Sequence, residues 1–288
     1  MIAAFDTSFQ NPILLAAGTA GFGREVAGVI DLESLGGLIT KAVSPEPRHG
    51  NPSPRVAEFP GGMLNSVGLA NPGLEQVAQV ELDWLEEHLH RARVIVNVVG
   101  DQRDDYVDVV RKLGSRTVVT AFELNVSCPN TERGGEEFGA NNEVLADLVS
   151  ACRTATDKPI IVKLAPTLSD IAATAEVAAE AGTDGFSVVN TMPGLLYREH
   201  GGEHELPTRL GAGQGGVSGP ALLPIGVLAT RRVRERTGLP VIGIGGICTA
   251  EDVKQYLDAG AVLVAVGTAA LADPRCPERL ARAWGTVG

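Results

Sequence analysis

The segment Glu123-Leu124-Asn125-Val126-Ser127-Cys128-Pro129-Asn130 sets one titratable thiol between two asparagines. Each asparagine amide donates and accepts hydrogen bonds without carrying charge. A thiol loses its proton near neutral pH where its surroundings are polar or cationic. One base between two neutral hydrogen-bonding arms suits a small, polar, uncharged ring that must lose a proton. The octet is equally compatible with a structural role, with Cys128 as a small buried hydrophobe and the asparagines as turn formers. Further polar residues recur at the ends of short apolar runs: Lys41, Asn97, Asn125, Lys163 and Asn190, then Gly245-Gly246 and Gly267-Thr268. A lone terminal lysine usually snorkels to the surface. Seven runs ending this way describe a ring around one mouth.

The elements that must carry this ring are legible from hydrophobic patterning. Runs suited to strands fall at 13–15, 37–40, 94–98, 122–125, 160–163, 185–189, 241–244 and 263–266. Helical spacing separates most of them. Over 74–89 the apolar residues Leu74, Val77, Ala78, Leu82 and Leu85 form a stripe, and 101–113, 142–155 and 169–181 read likewise. Ser169 and Asp170 are candidate caps of the last, with Gly182 after its end; Thr249 caps 250–258, with Gly260 beyond. Alternating strands and helices without a linker predict an α/β fold, a (β/α)8 TIM barrel spanning 1–288 as one domain. An open doubly wound sheet is the alternative, but Gly18-Thr19-Ala20-Gly21-Phe22-Gly23 lacks the GxGxxG spacing that it would need.

Glycine loops after the seventh and eighth strands, Gly243-Ile244-Gly245-Gly246-Ile247 and Val266-Gly267-Thr268, place backbone N–H groups where barrels bind phosphate. Gly215-Gly216-Val217-Ser218-Gly219 offers a further edge. FMN fits such a site, since its ring would reach the lysines and asparagines further round; a sugar phosphate fits the same loops. Two long inserts, 42–73 and 191–216, follow strands and are expected to rise over this face.

Composition narrows the class. Among 288 residues, 44% are hydrophobic and only 4% aromatic, so the core is aliphatic. A net charge of −11 argues against nonspecific binding to nucleic acid or an anionic membrane. No apolar run reaches membrane-spanning length, and the first residues lack a basic region followed by a long apolar stretch. The four cysteines are scattered without a CxxC pair, so no metal site is expected and a reduced, cytoplasmic setting is.

The chain resembles the class 1 dihydroorotate dehydrogenases. The residues that carry the resemblance are Asn11-Pro12, Thr40-Lys41-Ala42-Val43, Gly50-Asn51-Pro52-Ser53-Pro54-Arg55, Met63-Leu64-Asn65-Ser66-Val67-Gly68-Leu69-Ala70-Asn71-Pro72-Gly73 and Asn125-Val126-Ser127-Cys128-Pro129-Asn130. They continue with Val162-Lys163-Leu164-Ala165-Pro166, Asn190-Thr191, Gly215-Gly216-Val217-Ser218-Gly219-Pro220 and Gly245-Gly246-Ile247. The resemblance implies FMN on the barrel top and oxidation of (S)-dihydroorotate to orotate in pyrimidine biosynthesis. It makes Cys128 the base for the C5 proton and flavin N5 the acceptor of the C6 hydride. A serine in place of this cysteine marks the membrane-bound class 2.

By the same resemblance Lys41 meets the substrate carboxylate and the flavin, helped by the backbone of Val67, Gly68 and Leu69. Asn65, Asn125, Asn130, Asn190 and Thr191 hold the pyrimidine ring. Ala17, Gly18, Lys41, Asn97, Asn125, Lys163, Val189, Gly219, Gly245, Gly246, Gly267 and Thr268 bind FMN, with Lys163 stabilising the reduced form. A homodimer is implied. Arg133-Gly134-Gly135 resembles the 1B subclass, in which a separate FAD and iron–sulfur subunit passes electrons to NAD.

Two features depart from that pattern. Ala17 stands where a serine is common. The insert 191–216 carries His200 and His204 four apart, a metal-binding spacing on a helix; its many glycines favour a solvated lid instead. The insert is also similar to the pyrimidine-reducing domain of dihydropyrimidine dehydrogenase, which keeps a reductase of uracil-like bases as the rival enzyme. A non-redox barrel that binds a phosphate ligand is the rival outside enzymes.

Overall fold

The computed structural model describes residues 1–127, 129–130, 136–198 and 207–285. Eight parallel strands close into a barrel: β1 (Ile13–Leu15), β2 (Gly37–Ile39), β3 (Arg93–Val98), β4 (Val119–Asn125), β5 (Ile160–Leu164), β6 (Gly185–Val188), β7 (Val241–Ile244) and β8 (Leu263–Val266). Each pairs with its sequence neighbour, and Val264 opposite Ile13 joins the last strand to the first. Successive side chains on a strand point to opposite faces. One set, including Val94, Val96, Phe122, Leu124, Val162 and Val264, packs outward against the helices. The other, including Leu14, Ile39, Ile95, Ala121, Ile161, Ile242 and Ala265, fills the lumen. Burying each Val, Leu or Ile side chain is worth roughly 1.5–3 kcal/mol, so both layers drive closure.

A hairpin of Ile2–Ala4 and Thr7–Phe9 closes the N-terminal end of the lumen. Its turn residues Phe5 and Asp6 both have positive φ, as a two-residue hairpin of the twist-matching kind requires. Phe5 and Phe9 are buried within the lumen cluster, and a Cβ on Gly185 would come within 2.6 Å of the Phe5 ring. The aliphatic floor thus has an aromatic plug that strand periodicity did not reveal.

The helices follow the expected order, with differences at their ends. Asp170 alone caps Ile171–Glu180, accepting from the N–H groups of Ala172 and Ala173; Ser169 is not the cap. Gly182 follows at φ +104°. Thr249 accepts from the N–H of Asp252 at the start of Ala250–Asp258, and the Asp252 carboxylate accepts in return from the N–H of Thr249. The segment expected as one helix over 74–89 is instead Leu74–Gln76 and Leu82–His88 joined by a π-helical turn, Val77–Glu81. The wider turn brings Val77 and Leu82, five residues apart, onto one buried face with Leu74 and Leu85.

The two inserts meet in a four-stranded antiparallel sheet, ordered Met192–Leu195, Gln214–Ser218, Gly62–Asn65 and Val56–Phe59. The described part of the later insert is thus a partly exposed sheet edge and not a helix. The glycines serve close approach: a Cβ on Gly215 would lie 2.2 Å from the Asn65 carbonyl oxygen, and one on Gly216 would lie 2.1 Å from Thr191 Oγ1. His200 and His204 lie outside the described residues.

Candidate active site

Above the apolar floor the lumen turns polar. Asn97 on β3, Glu123 on β4, Lys163 on β5 and Ser187 on β6 are all buried. Glu123 is fully enclosed, and every neighbour placed to bind it is a donor. Its Oε1 accepts from Asn97 Nδ2 at 2.7 Å and faces Lys163 Nζ at 3.7 Å, while Oε2 accepts from Ser187 Oγ at 2.5 Å. A buried carboxylate is costly unless it is paired and hydrogen-bonded, and this one is both. Asn97 Oδ1 remains buried without a partner among the described residues. Glu123 went unrecognised in the sequence, although alternation signals it: Ala121, Glu123 and Asn125 share a parity opposite to the apolar Phe122, Leu124 and Val126.

One layer further up, Asn125 ends β4 and Asn190 follows β6. Asn190 Nδ2 donates to Asn125 Oδ1 at 3.2 Å, and the Thr191 N–H donates to Asn190 Oδ1 at 2.8 Å. The Tyr106 hydroxyl donates to the Asn125 carbonyl at 2.9 Å, fixing the strand end from behind. Asn125 Nδ2 donates to no described residue, so this edge keeps a donor for a ligand. Asn65 reaches the same face from the insert sheet, with Nδ2 donating to the Gly216 carbonyl at 3.2 Å. The structure therefore joins Asn65, Asn125, Asn190 and Thr191 through a strand pairing and hydrogen bonds. Asn130 is described in backbone only, paired with Glu136. Cys128 lies outside the described residues, as do Arg133, Gly134 and Gly135.

Lys41 leaves the end of β2, its N–H donating to the Gly21 carbonyl at 2.7 Å. Its side chain pairs with no described carboxylate. In the nearby loop, the backbone N–H groups of Val67, Gly68 and Leu69 donate to no described residue. Gly68 and Leu69 both have positive φ, +70° and +55°. For a leucine this is strained backbone, of a kind that clusters at ligand sites. Three amides without a described acceptor, on a loop whose Leu69 packs against Ala42 next to Lys41, make a place for a carboxylate.

The glycine loops sit on the β7–β8 side. Gly245 and Gly246 have φ of +123° and +73°, and a Cβ on Gly246 would meet the Leu223 backbone nitrogen at 2.7 Å. The N–H groups of Gly245, Gly246 and Gly267 have no described acceptor. Tyr256, also missed in the sequence, donates from its hydroxyl to the Gly245 carbonyl at 2.7 Å and braces the loop. Thr268 Oγ1 donates to Ser218 Oγ at 2.8 Å, tying the β8 loop to the insert sheet beside Gly219. Ala17 packs on the lumen cluster, the Gly18 Cβ position is open, and the Val189 N–H donates to the Ile244 carbonyl at 2.9 Å.

A family model described as dihydroorotate dehydrogenase matches residues 2–284. The chain belongs to the dihydroorotate dehydrogenase family. Curated relatives named "Dihydroorotate dehydrogenase B (NAD(+)), catalytic subunit" occur in Bacillus thuringiensis strain Al Hakam, Bacillus cereus strain AH187 and Bacillus anthracis strain CDC 684 / NRRL 3495. Each is 45% identical over 271 residues, covering 94% of this chain and 86% of its own length. The polar mouth of this dihydroorotate dehydrogenase family barrel is therefore its candidate active site.

Proposed function

We propose that the chain is an FMN-binding catalytic subunit, a single barrel domain, that oxidises (S)-dihydroorotate to orotate in pyrimidine biosynthesis. The observation that carries this reading is the hydrogen-bonded Asn125–Asn190–Thr191 edge at the barrel mouth, taken with Lys41 at the end of β2 and the amides of 67–69, which have no described acceptor. Uncharged amides orient the ring's carbonyl and N–H groups, while the ammonium and backbone amides take its carboxylate. The residues also fit FMN. Asn97 Oδ1 is a buried acceptor awaiting a donor, such as the ring N–H of an isoalloxazine. Lys163 forms no hydrogen bond with a described residue and so keeps its donors for the ring, and the free amides at Gly245, Gly246 and Gly267 suit a phosphate.

FMN, when bound, supplies the two-electron acceptor for the hydrogen leaving C6. Cys128 takes the C5 proton, as the segment that bears it implies. Asn65, Asn125, Asn130, Asn190 and Thr191 hold the pyrimidine in place, and Lys163 holds positive charge near the reduced ring. Val189, Ala17, Gly18 and Gly219 border the cofactor. The relatives' printed name supports a second, electron-transferring subunit, which we assign as an FAD and iron–sulfur protein passing electrons to NAD. A homodimer of the catalytic subunit and a cytoplasmic setting complete the reading. Reduction of uracil-like bases and a non-redox barrel are the less supported readings, since the relatives carry the dehydrogenase name.

The test is the anaerobic visible spectrum of the purified protein before and after dihydroorotate. A flavin band that bleaches on addition is expected. A yellow protein that dihydroorotate leaves unchanged, but that uracil-like bases reoxidise after chemical reduction, would favour the reductase.

A further inference from the structure

Glu123 is a fully buried charge that neither the proton transfer nor substrate binding employs. What it does follows from its partners. A carboxylate only accepts hydrogen bonds, so the Asn97 amide must present its nitrogen to Glu123 Oε1. That fixes the other end of the amide as an acceptor, and Oδ1 is the atom left buried without a partner among the described residues. Asn97 cannot turn over without aiming its oxygen at a carboxylate. Ser187 Oγ holds the second carboxylate oxygen, so the acid itself has a fixed orientation. Lys163 Nζ, at 3.7 Å, lies beyond hydrogen-bond length, and its charge is offset while its donors remain unspent.

We propose that Glu123 is a positioning residue for the flavin, resting on the FMN reading above. It locks Asn97 as an acceptor for a ring N–H and partly neutralises Lys163, holding the potential of the bound flavin below the value Lys163 alone would set. Removing a negative charge from this enclosed layer stabilises reduced FMN relative to oxidised FMN, because reduction adds electron density to the ring.

The experiment compares wild type, Glu123→Gln and Glu123→Asp, each reconstituted with FMN. Flavin affinity, two-electron midpoint potential and thermal midpoint of the FMN-free protein are measured. Glutamine is nearly isosteric but uncharged, and its amide can donate to Asn97 Oδ1 and so release the lock. In Glu123→Gln we expect weaker binding of oxidised FMN and a preference for reduced FMN about tenfold greater, an upward shift of about 30 mV for two electrons. In Glu123→Asp the charge stays but the reach to Asn97 is lost, so affinity falls while the potential remains near wild type. Asn97→Ala combined with Glu123→Gln should weaken FMN no more than the worse single change, since both remove one interaction. A purely structural buried ion would lower the thermal midpoint while leaving potential and affinity alone, and that result overturns the proposal. If Glu123→Gln does not fold, Glu123→Asp still decides through affinity: unchanged FMN binding refutes the positioning role. A wild-type protein that takes up no FMN overturns the cofactor reading, and this proposal with it.

Discussion

At the scale of single residues, the thiols separate cleanly. Burial pushes the Cys152 thiol up to about 12, burial and the Asp252 carboxylate raise Cys248, and burial also raises Cys276. In all three the surroundings disfavour the thiolate, the opposite of what a base needs. Cys128→Ala is expected to retain FMN and lose about 10²–10⁴ in turnover of dihydroorotate. Cys248→Ser should leave the pH profile of turnover in place. Stopped-flow reduction by dihydroorotate compares the two, and near-normal turnover in Cys128→Ala would refute the base assignment. Asn125 was legible in the sequence because its neighbours form a dense motif. Glu123 sits in the same octet, yet its role depends on Asn97 and Ser187, 26 and 64 positions away.

At the scale of elements, the segments that lead into neighbouring barrel strands are tied to one another. Glu33, in the short helical turn Leu32–Ser34 before β2, accepts from the N–H groups of His90, Arg91 and Ala92 just before β3. Partial burial works to raise its pKa, but these three amides and the Arg91 side chain outweigh it and leave the carboxyl below its usual range. A folded pKa below the unfolded one, about 4.3 for a free glutamate, stabilises the fold above that value. The contribution disappears as pH falls through the folded value. Glu33→Gln is thus expected to lower stability by about 1–3 kcal/mol at pH 7. The gap to wild type should close as pH falls towards 3. Urea denaturation at both pH values checks this, and a gap independent of pH would refute the ionic tie. Local signals of this kind, the caps Asp170 and Thr249 among them, are readable because cap and helix are neighbours in sequence. The π-helical turn at Val77–Glu81 was not, since only burial against the barrel selects it over a regular helix.

At the scale of the whole molecule, the lumen is organised from floor to mouth: aromatic plug, aliphatic layers, a paired polar layer, then the amides of Asn125 and Asn190. The plug and the candidate site lie at opposite ends. Phe9→Ala should cost roughly 3–5 kcal/mol in stability. We expect flavin affinity to change far less, because the polar layer rests on Ile95 and Ile161 as well. Denaturation and FMN titration of the same variant separate the two effects. Proportionate loss of both would mean that the floor positions the site directly.

The amino-acid sequence by itself determined the eight strands, their order and the parity that turns Asn97, Asn125 and Lys163 inward, since a period of two residues is a local property. It also placed both inserts over the strand ends. Only the tertiary structure decided that the inserts pair as one sheet, with Asn65 against Gly216, 151 positions apart. It also decided that Glu123 faces Lys163 and accepts hydrogen bonds from Asn97 and Ser187. Those outcomes depend on which side chains barrel closure brings to the same level, and a buried charge is tolerated only where closure supplies its partners.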